Sequence, residues 1–459
     1  MKHYDLLVLG GGSAGYAGAR TACELGKRTA VVDGAEDLGG LCILRGCMPS
    51  KTLIYSAEVL HLARQGKTLG LDIPKARADF PALQARKQAI IKEFQDYRAG
   101  QLEDGRFDLY RSHARFTADK QVTLAEGTVL TAEKILLSTG SKVYVPPVPG
   151  LAELPVLNSD DVLDLDRQLE SVIILGGGIV ACELAQFLQR TGTHTTMIQR
   201  SAHILKGFNP KASTAVERAF MEEGMQLHTG TSDLRLNATE NGFSATFTKA
   251  GQKVIVKAGH VLNALGRTPN TQNLGLPSTG VDLQPSGHVA TNPYQQTSHP
   301  DIYAAGDCAG PHEVVHVAIL QGECAIKHAF GANTRAMDYD PLLMVVFTDP
   351  QVATVGLDES QLRERRIPYI VETYPFDDHG KSILINAKHG YVKAIAHQET
   401  GQLLGAECVG KDAGELIHAM SIAVSLKANV QDLAMAHWYH PTLSEIWTYP
   451  LEDLAEQLG

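Results

Sequence analysis

The order of apolar and polar positions repeats itself once along the chain. Residues 4–33 (YDLLVLGGGSAGYAGARTACELGKRTAVVD) begin as an apolar strand, pass through a glycine-rich turn into an amphipathic helix and end in a second strand. Residues 171–199 (SVIILGGGIVACELAQFLQRTGTHTTMIQ) follow the same course. Between the copies, helical periodicity over 53–66 and 80–99 precedes short alternating segments over 106–137 that turn at Glu126–Gly127–Thr128. Glycine and proline punctuate 138–150 (STGSKVYVPPVPG), which predicts a linker into the second copy. Beyond that copy, 226–262 is strand-rich, and 299–310 (HPDIYAAGDCAG) reads as a strand ending in a Gly-Asp turn. The pattern changes after Pro341, with strands predicted near 343–356, 369–375, 391–397 and 403–409 and helices over 412–427 and 429–436. The expected fold class is α/β, with two Rossmann-like dinucleotide-binding domains and a C-terminal α+β domain.

The chemistry of the repeat lies in its turns. Gly10, Gly12 and Gly15 match G-x-G-x-x-G, with Ser13 opening the helix; Gly176, Gly178 and Ala181 match G-x-G-x-x-A, with Ile179 in the corresponding place. Such glycines let backbone N–H groups and a helix N-terminus approach a pyrophosphate, so two such turns predict two bound dinucleotides. After the first fingerprint the acidic residue suited to a ribose 2′-hydroxyl is Asp33, whereas the same count in the second copy gives Gln199, followed by Arg200 and Lys206. A carboxylate there suits FAD, and the cations suit the 2′-phosphate of NADPH, with NADH the alternative.

Length and composition set limits rather than choices. The 459 residues suffice for about three domains, and 44% hydrophobic with 20% charged residues is ordinary for a globular protein. A net charge of −10 without basic runs argues against nucleic acid as a partner. The apolar stretches are broken by glycine well short of the roughly 18 residues of a membrane span, so no membrane association is expected. The N-terminus runs into a strand with no room for a signal peptide, which makes the cytoplasm the expected setting.

Seven cysteines, at 23, 42, 47, 182, 308, 324 and 408, form an odd set without zinc-ligand spacing, so no metal site is expected. Cys23, Cys182, Cys324 and Cys408 are expected to pack as small apolar thiols. Cys42 and Cys47 differ, because they sit in GGLCILRGCMPSK, residues 39–51. In a relaxed helix, residues five apart lie on different faces, beyond the roughly 7 Å Cα separation a disulfide tolerates. Gly39, Gly40 and Gly46 supply the freedom to distort the start of the helix, so a strained and reducible disulfide is expected.

With these motifs in place the chain resembles the pyridine nucleotide-disulfide oxidoreductases, the family of dihydrolipoamide dehydrogenase, glutathione reductase and mercuric reductase. The resemblance covers essentially the whole chain. GGLCILRGCMPSK is similar to the family's redox-active helix and LSTGS, with Thr139 and Gly140, to its first linker motif. GRTPN, with Gly266 and Arg267, and AAGDC, with Gly306 and Asp307, are similar to its flavin-proximal turns; HWYHPTLSEIW is similar to its acid–base motif. The resemblance implies an FAD domain from 1–146 and 267–340, an NAD(P)H domain from 147–266 and a dimerisation domain from 341–459. It also implies that Gly40 belongs to the cofactor site, that Cys42 attacks the substrate and that Cys47 faces the flavin. Lys51 and Glu183 would pair near the flavin ring, Asp307 would contact the ribityl chain, and His440 with Glu445 would be the acid–base pair delivered across a homodimer.

Within the family, PSK, HPTLSE and YVKAIAHQETGQLLGAECVGKDAGELI are most similar to dihydrolipoamide dehydrogenases, which implies a lipoyl-type or other small disulfide substrate and a place in cell redox homeostasis. Gln199 and Arg200 stand where those enzymes carry an NAD-type glutamate. Ser13 and Arg20 fall where glutathione reductases hold their substrate, but Ile179 replaces their tyrosine gate and LCILRGC departs from their Thr-Cys-x-Asn. The ending EDLAEQLG lacks the terminal cysteine pair of mercuric reductases. Three alternatives accompany the lipoamide-type reading: a glutathione-reductase-like enzyme, a quinone or metal reductase using the flavin directly, and a non-catalytic flavin redox sensor.

Overall fold

The computed structural model describes residues 1–459. Strand Lys2–Leu9 lies between Thr29–Val32 and Val129–Leu137, parallel to both, at the centre of a seven-stranded sheet. Its Leu6, Leu7 and Val8 are fully buried, as an unbroken apolar run in a parallel sheet must be when both faces are covered. The last member of this sheet, Ile302–Ala304, pairs in parallel with Val129–Leu137. The chain therefore leaves the sheet after Leu137 and rejoins it some 160 residues later in the sequence numbering (137 to 302).

The excursion contains the second copy of the repeat. Ser171–Leu175, His194–Ile198, Gln226–His228 and His260–Asn263 make a four-stranded parallel sheet. Between its last two strands an antiparallel meander, Thr231–Thr239, Gly242–Lys249 and Gln252–Ala258, packs as a separate layer, so the strand-rich stretch 226–262 divides between two sheets. Where the chain departs and returns, Ser141–Val143 and Arg267–Pro269 pair antiparallel. The predicted linker is thus stapled to the returning segment.

Residues beyond 341 form a five-stranded antiparallel sheet in the order 343–346, 351–356, 403–410, 391–397, 369–375, covered by helices Ala413–Ser425 and Thr448–Leu458. Trp447 is fully buried in its core. No helix is long and apolar enough to cross a membrane.

Differences from the expected elements are local. The helix predicted over 53–66 runs Cys47–Arg64, and a short helix Gly40–Arg45 precedes it, the two separated by Gly46. The helix predicted over 80–99 extends to Glu103 and starts on an Asp79 cap that accepts from the Ala82 N–H. Helices Pro210–Glu222, Val315–Ala329 and Thr448–Leu458 were not anticipated from the pattern.

Candidate functional site

Both glycine-rich turns open onto one cavity of about 1330 Å³. Gly12, Ser13, Gly140, Gly306 and Asp307 line one part; Gly176, Gly178, Ile179, Gln199, Arg200 and Lys206 line another, and Cys42, Cys47, Lys51 and Glu183 stand with them. Gly266 and Arg267 complete the wall. Gly10, Gly15, Asp33, Gly40 and Thr139 do not line it, and the glycines among them shape the turns. A Cβ on Gly40 would stand 2.7 Å from the Gly12 Cα, and a Cβ on Gly15 would stand 1.8 Å from the Gly10 carbonyl oxygen.

The cavity fits two pyrophosphates. Helices Ser13–Glu24 and Ile179–Thr191 both begin on a glycine, have no side-chain cap and carry no acidic residue in the first turn, so their leading N–H groups stay available to an anion. Asp33 is fixed by accepting from the N–H groups of Gly11 (2.8 Å) and Ala35 (2.9 Å). Asp307 accepts from the Ser141 hydroxyl at 2.5 Å, and that hydroxyl accepts from Arg267 Nε at 2.7 Å. Thr139 is spent on structure, its hydroxyl donating to the Asn270 carbonyl at 2.8 Å.

Gly46 breaks the helix between the two sulfurs and lets them meet. Cys42 and Cys47 are free thiols here, near enough that each shifts the other's acidity, so the expected disulfide is not formed; the expected distortion of the helix start is what brings the pair together. The two thiols have opposite acidities. The hydrogen bond from Cys42 brings Cys47 down to about 6, against the effect of burial and with help from the Lys51 charge one helical turn further on. The same contact with Cys47, and burial, push the Cys42 thiol up.

Lys51 is held where it acts on Cys47. Its Nζ donates to Glu183 Oε2 at 2.7 Å and lies 4.8 Å above the Phe347 ring centroid. Glu183, 4% exposed, also accepts from the Phe347 N–H at 3.0 Å. One buried carboxylate thus ties the redox helix to the second nucleotide fold and to the C-terminal sheet. Nothing local in the sequence marks Phe347 for this part, nor Ser141 for bridging Asp307 and Arg267.

His440 Nδ1 is 3.0 Å from both carboxylate oxygens of Glu445. Glu445 is buried while the His440 side chain is 79% exposed, and neither lines the cavity that holds the sulfurs. A single chain does not bring the acid–base pair to the thiols. Of the two residues suggestive of glutathione, Ser13 lines the cavity, whereas Arg20 is taken up by an ion pair with Glu323 at 2.6 Å.

Comparison with known proteins places this geometry in a class. Residues 4–322 match the family model for pyridine nucleotide-disulphide oxidoreductases, and residues 343–450 match the dimerisation domain of the same family. The chain belongs to that family: it is a flavin-dependent disulfide oxidoreductase that binds FAD and NAD(P)H and carries the family's homodimer-forming domain. It is 33% identical to a mercuric reductase of Staphylococcus aureus over 96% of this chain and 81% of that one. It is 32% identical to a dihydrolipoyl dehydrogenase of Thermus scotoductus over 100% of this chain and 98% of that one. Its fold superposes on the crystal structure of LpdA from Mycobacterium tuberculosis with a TM-score of 0.88 at 26% identity, covering 99% of this chain and 100% of the other. The HOCl-induced flavoprotein disulfide reductase RclA of Escherichia coli shares the fold with a TM-score of 0.86 at 23% identity, covering 98% of this chain and 99% of that one.

Proposed function

We propose that this chain is an NADPH-dependent oxidoreductase of lipoamide-dehydrogenase type, acting on a lipoyl-type or other small disulfide, or on the matching dithiol in reverse. The observation that carries the reading is the Cys42–Cys47 pair, two thiols on either side of the Gly46 helix break with Lys51 beside them, in the cavity onto which both nucleotide turns open. Cys47 is the inner thiolate, stabilised by Lys51 through the charge anchored on Glu183. Cys42 keeps its proton until a base takes it, and the base suited to this is the partner subunit's His440. The Cys42 thiolate attacks one substrate sulfur, the other leaves with a proton from the imidazolium, and Cys47 then attacks Cys42 to release the second thiol and close the Cys42–Cys47 disulfide. When bound, FAD supplies the electron pair, drawn from the nicotinamide, that restores the dithiol. Arg200 and Lys206, exposed at the rim with Gln199, support the phosphorylated nucleotide.

A steady-state panel of lipoamide, glutathione disulfide and related disulfides, each with NADH and NADPH, tests the reading. Turnover of lipoamide is expected, and failure on every disulfide sinks it. Similarity to a mercuric reductase favours one second reading, a metal-ion reductase. Cys42→Ser separates the two if disulfide turnover is lost while metal-ion reduction by the flavin is spared.

The acidity of Cys47 has its own pH signature. Because its pKa is depressed, the thiolate of the two-electron-reduced enzyme persists above about pH 6 and fades as pH falls through that value. The long-wavelength absorbance that a thiolate lends to a neighbouring flavin should follow this titration. Lys51→Met should move the midpoint up, by about one unit if the ammonium is worth about 1.4 kcal/mol there. An unmoved midpoint contradicts the assignment of Lys51.

A further inference from the structure

The buried face of Glu445 meets a second histidine. His379 is completely buried, and its Nε2 lies 3.4 Å from Glu445 Oε1 without a hydrogen bond to that oxygen or to any other polar atom. Its Nδ1 is 2.8 Å from the Ser382 hydroxyl. A hydroxyl proton donated to Nδ1 leaves the ring proton on Nε2, the nitrogen that stands beside the carboxylate. Glu445 therefore has a histidine on either side, one exposed and one buried.

Resting on the proposed acid–base role of His440, we propose that His379 is a positioning residue for that role: its buried Nε2, 3.4 Å from Oε1, keeps the Glu445 carboxylate turned toward His440 Nδ1, so that the His440 Nε2 is left free for proton transfer. The groups around His379 suit a neutral donor. Tyr449 meets it edge-on with ring centroids 6.3 Å apart, and Tyr374, stacked on Tyr449 at 3.8 Å, donates to Asp378 at 3.0 Å, so the charge of Asp378 already has a partner. Among the charged groups, only Glu445 and His440 act on His379, and burial depresses its basicity against the pull of Glu445.

The test is His379→Leu, which removes the donor, against His379→Gln, which supplies an amide N–H. In the Leu variant, disulfide turnover should fall by roughly tenfold, less than the about 100-fold or more that loss of an acid–base group itself costs. The alkaline limb of its kcat profile should move up by about half a unit, the direction expected when Glu445 has one donor fewer. Rapid reduction of the bound flavin by NADPH, which needs neither histidine, should be unchanged, and Gln should restore most of the turnover. A superimposable pH profile, or an equal loss in the nicotinamide half-reaction, overturns the proposal. If the Leu variant fails to fold, Ser382→Ala decides, because it releases the lock on the Nδ1 tautomer: a shifted limb supports the role of His379 and the parental profile overturns it. His440→Gln, run in parallel, tells the two failures apart. Full turnover in that variant removes the acid–base reading and the His379 role with it; dependence on His440 with indifference to His379 removes only the latter.

Discussion

The two glycine-rich turns obey one backbone rule and part company at the end of the following strand. Gly10 has φ +104° and a Cβ on it would stand 2.3 Å from the Ser138 carbonyl oxygen; Gly176 has φ +111° and a Cβ on it would stand 2.4 Å from the Ala264 carbonyl oxygen. Each turn leads into a helix with no side-chain cap. After the next strand, the first copy presents Asp33, clamped by two N–H groups, while the second presents Gln199 beside the exposed Arg200. Recognition of a pyrophosphate is thus a property of backbone shape and can be reused unchanged. On the proposed reading, the choice of nucleotide is left to two or three side chains that backbone shape does not restrict.

The sharpest way to break the comparison is at the one glycine the copies do not share. A Cβ on Gly15 would lie 1.8 Å from the Gly10 carbonyl oxygen, yet the second copy carries Ala181 there, fully buried. Gly15→Ala is expected to abolish flavin retention and most of the folded yield, since backbone has to move to admit the methyl. Ala181→Gly should cost about 1 kcal/mol, the usual helix penalty. Flavin absorbance per chain and thermal melts measure both. Equal, small effects at the two sites would show that the first turn admits a methyl as the second does, and that the copies do not differ in packing at this position.

A smaller effect separates the nucleotides. Gln199→Glu with Arg200→Ala gives the second copy the carboxylate of the first and removes a cation. The ratio of kcat/KM for NADPH to that for NADH should fall by about 100-fold, consistent with losing a charge-assisted contact worth roughly 2–3 kcal/mol. A ratio unchanged by the pair of substitutions would discard the assignment of Arg200.

Much of this was legible because it is local. The turns, GGLCILRGCMPSK and HPTLSE each declare their chemistry within about a dozen residues, and the structure keeps each segment's parts together. What escaped the reading is of two kinds. Helix Val315–Ala329 starts on Val314 without a capping side chain, so its start carries no signal, and Thr448–Leu458 grows directly out of a preceding helical turn. Helix Pro210–Glu222 does carry one, an Asn209 cap followed by proline, which the apolar pattern alone passes over. The other kind is assembled only by folding: the Phe347 N–H reaches Glu183 across 164 positions, and His379 meets Glu445 across a sheet edge that no periodicity announces.

The finest distinction between the copies lies in how Asp33 is held. Its two oxygens take the N–H groups of Gly11 and Ala35, so the carboxylate fastens the turn, whatever charge it would also present to a ribose. In Asp33→Asn the amide oxygen can replace one acceptor, but the NH2 group faces the other N–H and leaves it without a partner. The expected loss is about 1 kcal/mol of turn stability and a several-fold looser flavin, with the cavity and the thiols intact. Flavin dissociation measured by fluorescence release, beside an unchanged Cys47 titration, is the matching result. If Asn binds flavin as tightly as Asp, the carboxylate serves the first turn no better than Gln199 serves the second, and the contrast between the two copies reduces to the cations of the second alone.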